Sequence, residues 1–288
     1  MESFAGRLAV VTGGGSGMGR ELVVQLASEG CSVATCDLNA ESVDETARLA
    51  EKVAPEGTRI TVHVCDVSDE AEVLAFRDEV VAQHETDHVN LLFNNAGIGG
   101  GGSFLTGPRE EWDRTFGVCW SGVYYCSRAF VPLLVASDAG YLVNTSSVNG
   151  FWALLVPGMP HTAYSSAKFA VKGFSEALLE DFRIHAPHVK VAVVMPGHIG
   201  TDIVTNSVAA HGDGSDLEAM RPFGDAFRDT APLSAAGAAT IILDGVRAEK
   251  WRILVGDDAE ALDVAVRAEP ERAYGPGGRN LIGGVGPV

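Results

Sequence analysis

Short apolar runs rich in β-branched residues alternate along the chain with longer stretches whose apolar positions recur at helical spacing. Leu8–Thr12 is the first run, after which Met18, Leu22 and Leu26 share one helical face until Gly30 supplies a stop. Further runs lie at 31–36, 59–65, 89–93, 141–145, 189–195 and 251–255. After the third, Ser68 with Asp69, Glu70 and Glu72 reads as an acidic first turn of a helix. A long helix is predicted over about 109–135, and another carries Ala167, Val171, Phe174, Leu178 and Phe182 on a four-residue beat. Runs that are apolar throughout, rather than alternating, are strands buried on both faces. The pattern therefore predicts an α/β fold: a doubly wound parallel sheet of about seven strands, with helices on both faces and a ligand at the carboxyl ends of the strands. Residues 1–270 read as a single domain. Within it, 203–232 has weak periodicity and many turn residues and is expected to be a substrate lid loop. Residues 271–288 read as a glycine-rich tail.

Composition narrows the function. The chain has 288 residues, 46% of them hydrophobic, enough for a sizeable core. Its 34 glycines show no triplet period, which excludes collagen. A formal charge of −17 argues against nucleic acid as a partner. Any phosphate-bearing ligand must then be held by a local device. Five cysteines without a Cys-x-x-Cys pair suit a reducing compartment. The residues before Gly13 lack a basic stretch and a long apolar one, and the apolar segment 116–135 is broken by Arg128. A cytoplasmic protein with no membrane partner is expected. No His/Cys/carboxylate cluster has metal-ligand spacing, so no metal is expected either.

The local device is at 12–19, Thr-Gly-Gly-Gly-Ser-Gly-Met-Gly, between the first run and the first helix. Gly13, Gly17 and Gly19, with Ser16 and Met18 among them, allow a tight turn and close approach to a pyrophosphate, which a helix N-terminus holds with its N–H groups. The spacing departs from the generic Gly-x-Gly-x-x-Gly fingerprint, and the position between strand and helix gives the loop its weight. Asp37 closes the second run and is followed by Leu38. A carboxylate there accepts from both ribose hydroxyls and repels a 2′-phosphate, so NAD is expected rather than NADP. The competing reading of Asp37 is a cap on the following helix.

Tyr164 and Lys168 are four apart in a helical pattern and project from one face. A free phenol, with a pKa of about 10, is a poor base at neutral pH, and a nearby ammonium brings it into range. Ser147, just after the fifth run, adds a hydroxyl at the same sheet edge, suited to binding a substrate oxygen as its charge changes.

Together with Asp66-Val67, Asn94-Asn95-Ala96-Gly97 and Pro196-Gly197 with Thr201, these residues make the chain resemble the short-chain dehydrogenases/reductases from Gly6 to about Val255. The resemblance implies a Rossmann-type sheet and hydride transfer between a nicotinamide dinucleotide and an alcohol/carbonyl pair. It implies Tyr164 as general acid/base, Ser147 as the group orienting the substrate oxygen, and Lys168 as the holder of the nicotinamide ribose. Asp66 and Val67 would border the adenine, and Asn94, Ala96 and Gly97 would support the cofactor floor. Pro196, Gly197 and Ile199 would line the cofactor, with Thr201 at its carboxamide end. Homodimers or homotetramers through two long helices are also implied.

Two departures stand out. Cys119 occupies the position where the family usually has an asparagine holding a water in a proton relay. The gap from Ser147 to Tyr164 is also longer than the family's usual spacing, and the extra residues fall within 151–157, expected to form a pocket wall. Phe151, Trp152, His161 and His198 are the candidate substrate-pocket residues. The expected function is an NAD-dependent alcohol dehydrogenase or carbonyl reductase acting on a small molecule, preferably an apolar or ring-containing secondary alcohol. The alternatives are a catalytically impaired NAD-binding sensor, supported by Cys119, and an NADPH-dependent carbonyl reductase.

Overall fold

A computed structural model describes residues 1–154, 160–212 and 217–274. Strand and helix alternate through β1 (Leu8–Thr12), α1 (Gly17–Ser28), β2 (Ser32–Asp37), α2 (Ala40–Glu51), β3 (Ile60–Val64), α3 (Glu70–His84) and β4 (Leu91–Asn94). The next helix, α4 (Arg109–Phe116), passes through a π-helical turn at Gly117–Ser121 into α5 (Gly122–Ala136). Then come β5 (Gly140–Thr145), α6 (Thr162–His185) and β6 (Val189–Pro196). A two-residue strand β7 (Ile199–Gly200) precedes α7 (Ile203–His211) and α8 (Leu217–Asp229), and pairs with β8 (Leu233–Ser234). The helix α9 (Ala235–Arg247), β9 (Arg252–Val255) and α10 (Asp257–Ala268) complete the order.

Seven strands form one sheet in the order β3-β2-β1-β4-β5-β6-β9, every pair parallel. The order reverses at β1, which pairs with β2 on one side and β4 on the other. Side chains alternate across the strands, and the core divides accordingly. Ala9, Val11, Leu91, Phe93, Tyr141 and Val143 pack on the α1 and α9 side. Leu8, Val10, Leu92 and Leu142 meet Phe76 of α3 and Cys126, Phe130 and Leu134 of α5 on the other. The expected fold class is the one observed.

The helix ends follow local chemistry. Gly30 takes a φ of +78°, and the amides of Gly30 and Cys31 bond the carbonyls of Ala27 and Leu26, a Schellman stop. Asn39, not Asp37, caps α2 by accepting from the Ser42 amide, which leaves the Asp37 carboxylate for other partners. Asp69 caps α3, accepting from Ala71 and Glu72. The apolar segment 116–135 belongs to a 28-residue helical stretch long enough to cross a bilayer, yet Val123, Cys126, Phe130 and Leu134 of α5 are buried against the sheet.

Segment 203–232 differs from the expected irregular loop, because it contains α7 and α8. Only Ser207 of α7 and Gly224 of α8 are buried; α7 lacks the apolar stripe that marks a core helix, whereas α8 has one in Leu217, Met220, Phe223 and Phe227. Pro222 and Gly224 inside α8 interrupt that period in the sequence. The tail from 275 onward lies outside the described residues.

Candidate active site

A cleft of about 460 Å³ opens at the carboxyl ends of the strands where the order reverses. Its floor is the loop from β1 to α1. Gly13 has a φ of +67°, and a Cβ there would come 2.7 Å from Ala96 Cα. Gly19, beneath the loop, leaves no room either, because a Cβ would sit 2.0 Å from the Gly13 carbonyl. Gly13, Gly15, Ser16, Gly17 and Met18 line the cleft. Backbone amides at the start of α1 with no side chains over them form a cradle suited to a pyrophosphate. Thr12 ties this loop to the one after β4, since its hydroxyl accepts from the amides of Asn95 and Ala96, both at 3.0 Å.

Toward β3 the cleft is lined by Asp37, Leu38, Asp66 and Val67. Asp37 accepts from the amides of Gly15 at 2.9 Å and Asn39 at 3.0 Å, one on each oxygen, which leaves an acceptor position on each. A Cβ on Gly15 would lie 2.8 Å from the Asp37 carboxyl carbon, so the glycine is what lets the carboxylate reach the loop. Leu38 is 54% exposed, an apolar surface left bare beside it. Asp66 accepts from the Ser68 amide and hydroxyl and from Arg114 of α4 at 2.6 Å. Burial alone would raise its carboxyl, but Ser68 and the guanidinium hold it below the usual carboxylate value.

Toward β5 the catalytic candidates converge. Lys168 is buried and its Nζ donates to the Thr145 carbonyl at 2.9 Å. The same Nζ lies 5.4 Å from the centre of the Tyr164 ring. A Cβ on Gly97, which lines the cleft, would come 3.4 Å from Nζ, so the buried ammonium lies directly behind this glycine. Ser147 begins a short 3₁₀ turn, Val148–Gly150, and its hydroxyl accepts from the Asn149 amide. Burial pushes the Tyr164 phenol above its ordinary value, while the Lys168 ammonium and the Ser147 hydroxyl pull it back. Cys119, fully buried in the π-helical turn, donates from Sγ to the Ile98 carbonyl at 3.1 Å.

Other expected residues fall at varying distances from the cleft. Ala96, Gly97 and Thr201 line it. Asn94 does not, because its amide is turned into the core toward Asn144 at 2.8 Å and Ser127 at 3.0 Å. Pro196 ends β6. Gly197 is pinned under the Asp258 carboxylate, where a Cβ would not fit, and Ile199 is a core residue. They shape the turn leading to Thr201. Trp152 is a correction. It is buried with Leu262 and Val266 of α10 and its indole N–H donates to the Ala273 carbonyl, so it is core and not pocket wall. Phe151 packs on the same cluster and under the Arg252 guanidinium. His198 is likewise turned away, bonded to the Phe227 carbonyl at 2.7 Å. Residues 155–157 of the expected wall lie outside the described residues. His161, at the start of α6, keeps a buried Nε2 without a partner among the described residues, and burial lowers its pKa.

Sequence reasoning missed Arg114 and the cleft-facing residues of α7. Arg114 falls within the long helix predicted over about 109–135 and carried no expectation of its own, and α7 falls within the segment expected to be a loop. Asn206 Nδ2 donates to Ser16 Oγ at 3.0 Å, while Ser207 Oγ accepts from the Gly99 amide at 2.7 Å. His211 Nε2 donates to the Gly99 carbonyl at 2.8 Å.

A parallel sheet with its cleft at the strand-order reversal, a glycine cradle at a helix N-terminus and a Ser-Tyr-Lys cluster beside it define a dinucleotide-binding oxidoreductase. The sequence model described as "short chain dehydrogenase" matches residues 7–212. SadH of Mycobacterium tuberculosis is 38% identical over 267 residues, covering 93% of this chain and 92% of SadH. A short chain dehydrogenase/reductase from Burkholderia phymatum in complex with NAD superposes with a TM-score of 0.82 at 28% identity, covering 96% of this chain and 98% of that one. A metagenomic short-chain oxidoreductase in complex with NADP gives 0.63 at 26% identity, covering 88% and 97%. The chain belongs to the short-chain dehydrogenase/reductase family.

Proposed function

We propose that the protein is an NAD-dependent dehydrogenase or reductase that interconverts a secondary alcohol and its carbonyl, with Tyr164 as general acid/base. The observation that carries this reading is the buried Lys168 ammonium 5.4 Å from the Tyr164 ring, with Ser147 beside them. Gly13, Ser16, Gly17 and Met18 would hold the pyrophosphate, Asp37 and Leu38 the adenosine ribose, and Lys168 with Thr201 the nicotinamide end. When bound, NAD supplies the hydride acceptor and NADH the donor.

The chain's own groups handle the proton. Burial keeps the resting Tyr164 phenol protonated, ready to donate to a carbonyl oxygen as it gains charge. The phenolate that this donation leaves at Oη, and that in the oxidative direction takes the alcohol proton, would be stabilised by the Lys168 ammonium. Ser147 would turn its single O–H to the substrate oxygen, which places that oxygen within reach of Oη. Asp37 supports NAD over NADP, because its carboxylate faces the cleft where a 2′-phosphate would have to lie. With Trp152 and Phe151 in the core, aromatic walls no longer argue for a ring-containing substrate.

The test is a panel of secondary alcohols with NAD, followed by Tyr164→Phe. Turnover should fall by about a hundredfold or more while NADH still binds in a fluorescence titration. Turnover retained in the variant would sink the acid/base role. A second reading, a nucleotide-binding sensor without turnover, rests on Cys119, whose Sγ is committed to the Ile98 carbonyl.

A further inference from the structure

We infer that Arg114 is a specificity-determining residue for the purine base of the cofactor, acting through the carboxylate of Asp66. The inference rests on the dinucleotide reading above. The pyrophosphate cradle lies at the end of β1, and the reacting end is marked by Tyr164 and Lys168 beyond β5. A dinucleotide laid across that reversal carries its adenosine the other way, past Asp37 at the end of β2. The next polar group in that direction is Asp66, two residues past the end of β3.

The Asp66 carboxylate is held from two sides. The amide and hydroxyl of Ser68 bond one oxygen, at 2.9 and 2.7 Å, and Arg114 Nη1 bonds the other at 2.6 Å. The same Nη1 also reaches the Ser68 hydroxyl at 2.7 Å, which closes a three-member ring of contacts. Three of the four acceptor positions of the carboxylate are therefore used and its rotamer is locked. One acceptor position is left on this fixed anion, which lines the cleft. A base that offers an exocyclic amino group there gains a charge-assisted hydrogen bond. A base with a carbonyl at the same position meets anion against oxygen. Adenine is the first kind, and guanine or hypoxanthine the second.

Arg114 comes from a different element than Asp66. It reaches across from α4, one turn before the π-helical turn that carries Cys119. Without it the carboxylate would keep only the Ser68 contacts on one oxygen and could rotate away from the base. Arg114 itself need not touch the base, so it is a positioning residue. An arginine kept only to brace α4 against the loop after β3 would contribute to folding but would leave base preference untouched.

The test measures dissociation constants for NADH and for reduced nicotinamide hypoxanthine dinucleotide, which has a carbonyl in place of the adenine amino group. The parent should prefer NADH by about tenfold or more, one charge-assisted hydrogen bond. Arg114→Met should bring the ratio within about threefold, and Ser68→Ala, which removes the hydroxyl that touches both partners, should lower it by a smaller factor. Arg114→Lys, which restores a charged donor, should recover most of the preference. A parent that binds both dinucleotides equally, or Arg114→Met and Ser68→Ala proteins with the parental ratio, overturns the inference and leaves the dinucleotide reading standing. If Arg114→Met does not fold, the Ser68→Ala ratio decides alone. A parent that binds neither dinucleotide overturns both.

Discussion

At the scale of single residues, Cys119 poses the sharpest chemical question. A thiol is a weak donor and a weak acceptor, and this one is buried with its hydrogen directed at the Ile98 carbonyl. It cannot hold a relay water as firmly as a carboxamide would. Cys119→Asn is expected to give a rate equal to or above the parent in the steady-state NAD assay. A loss beyond about tenfold would show that the thiol has a role of its own. That Tyr164, Lys168 and Ser147 lie together was legible in the sequence, because the first two share a helical face and the third follows the fifth strand. Asn94 was read as cofactor floor and lies behind it, because its neighbour Asn95 and the Thr12 hydroxyl form the visible support. Arg114 was not legible at all. Its partner Asp66 is 48 positions away and on another element, and only the packing of α4 over the loop after β3 joins them.

At the scale of elements, α7 bridges the two lips of the cleft. Asn206 reaches the glycine loop at Ser16, and Ser207 and His211, one helical turn apart, hold the amide and carbonyl of Gly99 in the loop after β4. A dinucleotide seated between those loops would leave only once these contacts open, which makes α7 a candidate gate on release. Ser207→Ala removes the acceptor for the Gly99 amide, a contact worth about 1 kcal/mol. NADH dissociation, followed by stopped-flow fluorescence, should quicken by about threefold to tenfold. An unchanged off-rate would mean that α7 does not gate the cleft. The seven strands of the main sheet were legible to within a residue or two at their ends because each is built on a short, mainly apolar and β-branched run, even where a polar residue such as His63 of β3 or Arg252 of β9 interrupts it. Segment 203–232 was not, since α7 carries little amphipathic signal and in α8 Pro222 and Gly224 interrupt an apolar face made by Leu217, Met220, Phe223 and Phe227.

At the scale of the whole molecule, net charge and surface pattern point in different directions. A charge of −17 spread over the surface favours separate, soluble chains. It does not prevent phosphate binding at a cradle of backbone amides, where no basic side chain is needed. The outer faces of α5 and α6, however, carry aromatic rings. Tyr124 and Phe169 are 40% and 42% exposed, and Trp120 stacks on Tyr124 and meets Phe174 edge-on at 5.5 Å. A surface of this kind on an acidic protein fits a self-complementary contact, in which rings from one copy cover those of another about a two-fold axis. A stable contact needs about 800 Å² from each partner, and two helices of 15 and 24 residues side by side can provide it. The 30.2 kDa chain should therefore give a light-scattering mass near two or four times that value at micromolar concentration. Phe169→Asp, which places a charge in the middle of the patch, should shift the mass toward the single chain and leave the circular-dichroism spectrum unchanged. A parent that runs as a single chain at those concentrations would refute the two-fold contact.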